Sequence, residues 1–159
     1  MIRLRRIDGA ADAPLCAQIY SDAVRGVSGG PYSDNELAAW APKVPSGREW
    51  SDRFRDSSGF LAYRGEKAVG FMLMTQDHHI DLAFVLPGER GQGTAAKLYD
   101  AILAETPSDA PFFTFASLFF RPFVERRGWR VTETQQVERN GETLTRFAMA
   151  LDSARTPLT

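Results

Sequence analysis

With 159 residues and 19 Lys plus Arg against 20 Asp plus Glu, the chain is long enough to bury a core as one domain. Its net charge of -1 excludes a broad attraction for nucleic acid or other polyanions. The one cysteine, Cys16, excludes an internal disulfide, and with no apolar run of membrane length and no signal-peptide core in MIRLRRID, a cytoplasmic chain is expected.

Ile2 to Ile7 starts as an alternation of apolar and basic residues and predicts a short strand with its arginines solvated. Asp12 followed by Pro14 marks a helix start, and Leu15, Ile19, Ala23 and Val27 predict its buried stripe. Cys16, among apolar neighbours in that helix, reads as a small buried hydrophobe. Gly26 and Ser28-Gly29-Gly30-Pro31 end the helix. Tyr32 to Pro42 predicts a short helix capped at Ser33, with Glu36 completing a capping box. Ser46 to Asp56 predicts another, carrying Trp50 and Phe54. Ser58 to Arg64 and Lys67 to Gln76 predict two strands turned at Gly65-Glu66, with Phe60, Ala62, Val69, Phe71 and Leu73 at sheet period. Asp77-His78 makes the next turn.

Ile80 to Leu86 is apolar at almost every position and predicts a strand covered on both faces. Pro87 and Gly88 stop it, and Arg90-Gly91-Gln92-Gly93-Thr94-Ala95 leads into a helix with Ala95, Leu98, Tyr99, Ile102 and Leu103 at helical spacing. A glycine turn at a helix N-terminus offers free N–H groups and the positive end of the helix dipole, which suits a phosphate or pyrophosphate. Thr106-Pro107-Ser108-Asp109 reads as a loop and Pro111 to Ala116 as a strand carrying Phe112, Phe113 and Phe115. Ser117 to Trp129 predicts a helix entry and helix, with Pro122 in the first turn and Gly128 as C-terminal cap. The aromatic residues from Phe112 to Phe123 read mostly as core. Asn140-Gly141 is the strongest hairpin signal, and Phe147, Met149 and Leu151 form the inward row of its second strand. No repeat or linker interrupts the chain, so one domain over 1–159 is expected.

Arg90-x-x-Gly93-x-Ala95 resembles the R/Q-x-x-G-x-G/A signature of the GNAT N-acetyltransferase superfamily. Downstream, Phe123, Glu125 and Gly128 match a second motif of that superfamily, N-x-x-A-x-x-F-Y-E-K-x-G-F, and the run resembles a small bacterial branch with an RPF(F/V)ER-type helix. The resemblance implies an α/β fold with a central mixed twisted sheet of about six to seven strands flanked by helices. It implies acetyl-coenzyme A (acetyl-CoA) as acyl donor without a metal, with Arg90, Gly91, Gln92, Gly93, Thr94 and Ala95 around the pyrophosphate. Phe84 and Val85 would splay from the next strand, pair with the pantetheine and direct a backbone N–H at the thioester carbonyl; Ser117 and Phe123 would complete the coenzyme side. Tyr32 and Trp40 fall where the family builds its acceptor wall, and core packing explains them equally well. Arg121 reads as a partner for a coenzyme phosphate or an acceptor carboxylate, or as a surface arginine. Dimers are common in the superfamily.

The implied reaction is direct transfer of acetyl to a primary amine, of a small molecule, peptide or protein. An acceptor of lysine type, with a pKa near ~10.4, needs a base. His79 and Asp81, two residues apart on the central strand, are the candidates, expected on one face with Ala83 and Val85. The plain alternatives are a solvated histidine and an aspartate closing a local hydrogen bond. Val124 stands where many members carry a tyrosine thought to protonate the departing thiolate, and Ser117, Tyr32 or a water are the substitutes. Loss of such an acid fits a slower enzyme, or a silent module that binds acyl-CoA as a sensor or partner subunit. Gly91-x-Gly93-x-x-Ala96 also fits a loose dinucleotide fingerprint, but no acidic residue ends the next strand, and no Walker A, zinc-ligand or nucleophile-elbow pattern occurs.

Overall fold

A computed structural model describes residues 1–27, 30–106 and 109–152. The expected loops at Ser28-Gly29 and Pro107-Ser108 lie outside the described residues. The element order is β1 (Ile2–Arg6), α1 (Ala13–Arg25), α2 (Asp34–Trp40), α3 (Gly47–Phe54), β2 (Ser58–Arg64), β3 (Lys67–Met74), β4 (His79–Val85), α4 (Thr94–Ala104), β5 (Phe112–Ala116), α5 (Phe120–Glu125), β6 (Arg130–Arg139) and β7 (Glu142–Leu151). The strands form one seven-stranded sheet in the order β1-β2-β3-β4-β5-β7-β6. Its pairs are antiparallel except β4 with β5. This is the mixed sheet with flanking helices that the sequence predicts.

Two apolar layers cover the sheet. On one side Cys16, Tyr20, Leu37, Trp50 and Phe54 of α1 to α3 meet Leu61, Phe71 and Leu73. On the other, Leu98, Tyr99 and Ile102 of α4 and Val124 of α5 meet Ala62, Met72, Ile80, Phe112 and Met149. Among the described residues no helix is long and apolar enough to cross a membrane.

Local chemistry explains most boundaries. Both Ser33 and Ser46 close capping boxes, with Glu36 and Glu49, at the starts of α2 and α3. Asn140 and Gly141 both take positive φ, 49° and 86°, as a two-residue hairpin turn requires. Gly128 has φ 92°, which lets Trp129 N–H return to Val124 O at 3.1 Å and bury the indole.

Four expectations are corrected. Asp12 begins α1, but its carboxylate does not cap the helix; a preceding 3-10 turn puts its backbone in the helical region, and Arg5 holds both oxygens at 2.9 Å. Leu15 is exposed, and the buried stripe of α1 runs through Cys16, Tyr20, Ala23 and Val24. Val69 does not share a face with Phe71 and Leu73: a bulge beside the Ala62/Tyr63 step shifts the phase, so Val69 packs on the α4 side. Of the aromatic residues from Phe112 to Phe123, only Phe112 is fully buried, while Phe115 is exposed and Phe119, Phe120 and Phe123 are half-buried.

Candidate active site

β4 pairs with β5 only through His79–Phe113 and Ile80–Thr114, and beyond them the two strands part. On its other edge β4 stays paired with β3 as far as Gly70–Val85. Leu86 N–H bonds Val69 O, so the alternation of an antiparallel ladder turns the Val85 N–H the other way, into the gap facing β5. The strand therefore offers a backbone donor at the point where its neighbour has left.

β4 carries its own irregularity. Leu73 faces Leu82 and Met74 faces Ile80, which leaves Asp81 as the extra residue of a bulge. The expected shared face of His79, Asp81, Ala83 and Val85 is thereby corrected. After the bulge the phase reverses: His79 and Asp81 lie with Leu82 and Phe84 on one side, while Ala83 and Val85 line the other.

Those two sides are two cavities. The first, about 440 Å³, is walled by Ala83, Val85, the turn Glu89–Gly91 with Gly93, the first turn of α4, and Phe119, Phe120, Phe123, Arg126 and Arg127. The second, about 400 Å³, is walled by Tyr20, Tyr32, Trp50, Arg53, His79, Asp81, Phe115, Arg139 and Arg146 among others. Trp40, Phe84 and Ser117 line both.

The first cavity is built for an anion. Gly91 and Gly93 have φ of 78° and 82°, and a Cβ at either would meet nothing within 4 Å, so the turn faces open space. The first intrahelical bond here runs from Lys97 N–H to Gly93 O, which leaves the N–H groups of Thr94, Ala95 and Ala96 directed at whatever fills the cleft. Glu89 is held by Arg64 at 2.9 Å and by the Thr94 hydroxyl at 3.0 Å, and that arginine keeps its carboxyl below the usual carboxylate range. Arg90 lies over the Phe119 ring at 4.3 Å, where burial pushes its guanidinium down from its ordinary value. Gln92 does not line the cleft; its N–H closes the turn on Glu89 O. The glycine turn, the helix end and Arg90, Arg126 and Arg127 together fit a diphosphate.

In the second cavity His79 stacks on Phe113 at 4.6 Å and meets the edge of Phe115 at 5.5 Å. Burial pushes its imidazole below the ordinary value, opposed by Asp81 and Asp77. Asp81 is bound at both oxygens by Arg53. Tyr32 Oη accepts the Leu118 N–H at 2.8 Å beside Ser117, and burial raises the phenol. The Ser117 hydroxyl accepts from Phe120 N–H at 3.1 Å. Arg121 pairs with Glu125 over Phe147 and lines neither cavity. Val124 is wholly buried in the α4 layer and also lines neither. Among the described residues no three His, Cys, Asp or Glu gather as a metal site would require.

Sequence reasoning missed Arg53, Arg139 and Arg146. The two-residue period of the Asn140-Gly141 hairpin puts Val137 and Arg139 on one face with Leu144 and Arg146, a signal that was present. That this face looks at β4 follows only from the insertion of β7 between β5 and β6.

The profile of the Acetyltransferase (GNAT) domain matches residues 30–151. The chain is 30% identical over 148 residues to the uncharacterized N-acetyltransferase YafP of Escherichia coli (strain K12), covering 93% of this chain and 94% of that one. A GCN5-related N-acetyltransferase from Rhodopseudomonas palustris superposes with a TM-score of 0.81 at 25% identity over 93% of both chains. The yncA protein of Salmonella typhimurium, solved with its cofactor acetyl-CoA, shares the fold at a TM-score of 0.69 and 14% identity, over 100% of this chain and 97% of that one.

Proposed function

Because the chain belongs to the GNAT acetyltransferase family, we propose that it moves the acetyl group of acetyl-CoA directly onto a primary amine. The observation that carries this reading is the meeting of the two cavities at Trp40, Phe84 and Ser117 beside the β4–β5 gap. Two substrates entering from different sides reach one another at that wall.

Acetyl-CoA supplies an acyl group already activated as a thioester. The glycine turn with Arg90, Arg126 and Arg127 holds its phosphates. The Val85 N–H stabilises charge on the carbonyl oxygen as the amine attacks. His79, kept in its base form by burial, takes the proton from the amine through a chain of waters, since it stands at the opposite end of β4 from Val85. Asp81 is engaged with Arg53 and positions the strand instead. Ser117 is the hydroxyl of the shared wall and, with Tyr32 beside it, donates a hydrogen bond to the departing sulfur, which leaves as the thiolate and takes its proton from solvent. A thiol pKa of roughly 8.5 already makes the thiolate a tolerable leaving group, so this assistance helps without being indispensable.

The test is thiol release from acetyl-CoA across a panel of amines, with the acetylated product identified by mass. Amine-dependent release is expected. Saturable coenzyme binding with no turnover on any amine would instead favour the silent acyl-CoA-binding module.

A further inference from the structure

The second cavity has a charge imbalance that the acetyl transfer itself does not need. Its wall contains Glu49, Arg53, Asp81, Arg139 and Arg146. Arg53 and Asp81 neutralise each other. Glu49 is turned back to the Ser46 N–H at 3.2 Å and toward Lys43 at 3.7 Å. Arg139 and Arg146 form no ion pair among the described residues, and Glu142, opposite Arg139 in register, is no exception. Arg146 is fixed in place: its Nε donates to Gln135 Oε1 at 2.7 Å, and its guanidinium lies over Phe115 at 4.5 Å. The Phe115 ring also meets His79, so the cation and the candidate base share one aromatic support. Two unbalanced guanidinium groups in the acceptor chamber repel a polyamine and offer paired donors to a carboxylate.

We propose that the acceptor is a small amine carrying its own carboxylate, an amino acid in the broad sense, whose carboxylate is held by Arg139 and Arg146 while its amine points to the shared wall. The assignment rests on the acetyltransferase reading above. The chamber volume of about 400 Å³ suits a small molecule, and the rings of Tyr20, Trp40, Trp50 and Phe84 leave apolar surface for its body. The same cations that bind the carboxylate also disfavour a protonated amine nearby, which lowers the barrier to forming the attacking species.

The experiment measures acetyl-CoA-dependent acetylation of free amino acids, each against its amide and its decarboxylated amine, with diamines, amino sugars and peptides alongside. Amino acids should exceed their amides by about 10- to 100-fold in kcat/KM, the range expected for a charged hydrogen-bonded pair. Arg146→Gln and Arg139→Gln should raise KM for the amino acid and collapse its preference over the amide toward one. Arg139 is exposed, so its replacement keeps the test valid if Arg146→Gln misfolds. Equal use of acid and amide, or preference for diamines, overturns the carboxylate site while leaving the transferase intact. If no amine turns over, the transferase reading fails separately, and calorimetry of amino acid against amide on the coenzyme A complex decides the site: selective binding lost in Arg146→Gln supports it, and no selectivity overturns it.

Discussion

Arg53 reaches across from α3 to close a two-point ion pair on Asp81, Nε and Nη2 each 2.8 Å from one carboxylate oxygen. The contact falls at the bulge of β4 and ties the helical wall of the second cavity to the strand beneath it. The Asp81 side chain is mostly covered while that of Arg53 is open, so the pair lies between the surface and interior cases. Asp81→Asn should lower stability by about 1–2 kcal/mol in urea titration. Activity should persist at raised KM. Loss of kcat by more than about 10³-fold with the fold intact would return Asp81 to the role of base.

His79 should govern the low-pH limb of the reaction. Asp77, Asp81, Arg53 and Arg146 all act on its charge, and burial prevails, holding it below the ordinary imidazole value near ~6.5. The base form therefore dominates at pH 7, and the limb of kcat/KM should have its midpoint below ~6.5 and vanish in His79→Gln. In that window the unfolded chain binds the proton more readily than the folded one, so stability falls as pH is lowered through it. A midpoint above 7 in the wild type, or an unchanged limb in His79→Gln, would remove this residue from the mechanism.

Gly93 has φ 82° with empty space where a Cβ would stand. Gly93→Ala should cost about 1–2 kcal/mol from the left-handed backbone alone and still bind coenzyme. Gly93→Glu should abolish binding by placing negative charge in the cleft. Acetyl-CoA at about 100 times its dissociation constant stabilises a protein by roughly 2.7 kcal/mol, a shift on the order of 5–10 °C at this size. Thermal unfolding should show that shift in the wild type and none in a folded Gly93→Glu.

Tyr99 and Trp129 join α4 to the end of the α5 turn through a buried hydrogen bond, indole Nε1–H to phenol oxygen at 2.9 Å. Tyr99→Phe leaves the indole donor without its acceptor and should cost about 1–3 kcal/mol in denaturant unfolding. Trp129→Phe in the same background removes the orphaned donor, so the two substitutions should be less than additive.

Restoring a tyrosine at position 124 should not help. Val124 packs against the α4 layer and faces neither cavity. Val124→Tyr should destabilise by about 1–3 kcal/mol through overpacking, with no gain in turnover at any pH. A faster enzyme would mean that α5 rotates to present this position to the cleft.

The parts legible in the sequence are those decided by local chemistry. Asn140-Gly141, Ser33 with Glu36, and the glycine turn each fix backbone geometry within a few residues, and each sits where its side chains require. Val69 and Asp81 were misread because a bulge is a property of two strands together. Leu15 was misread because the face of α1 that is buried depends on where α2 and α3 pack. Arg139 and Arg146 share one face of the hairpin in the sequence pattern, but that this face meets Arg53 of α3 in one cavity follows only from the sheet order.

Cys16, the one cysteine of the chain, is sealed in α1, and burial pushes its thiol up to about 12. At neutral pH the folded protein is therefore silent toward thiol-reactive dyes. Coenzyme A released by turnover can be counted against a blank that stays flat, in the presence of substrate quantities of enzyme. The same dye, added without acetyl-CoA, becomes a clock for unfolding, since one equivalent of colour per chain appears only when α1 leaves the sheet.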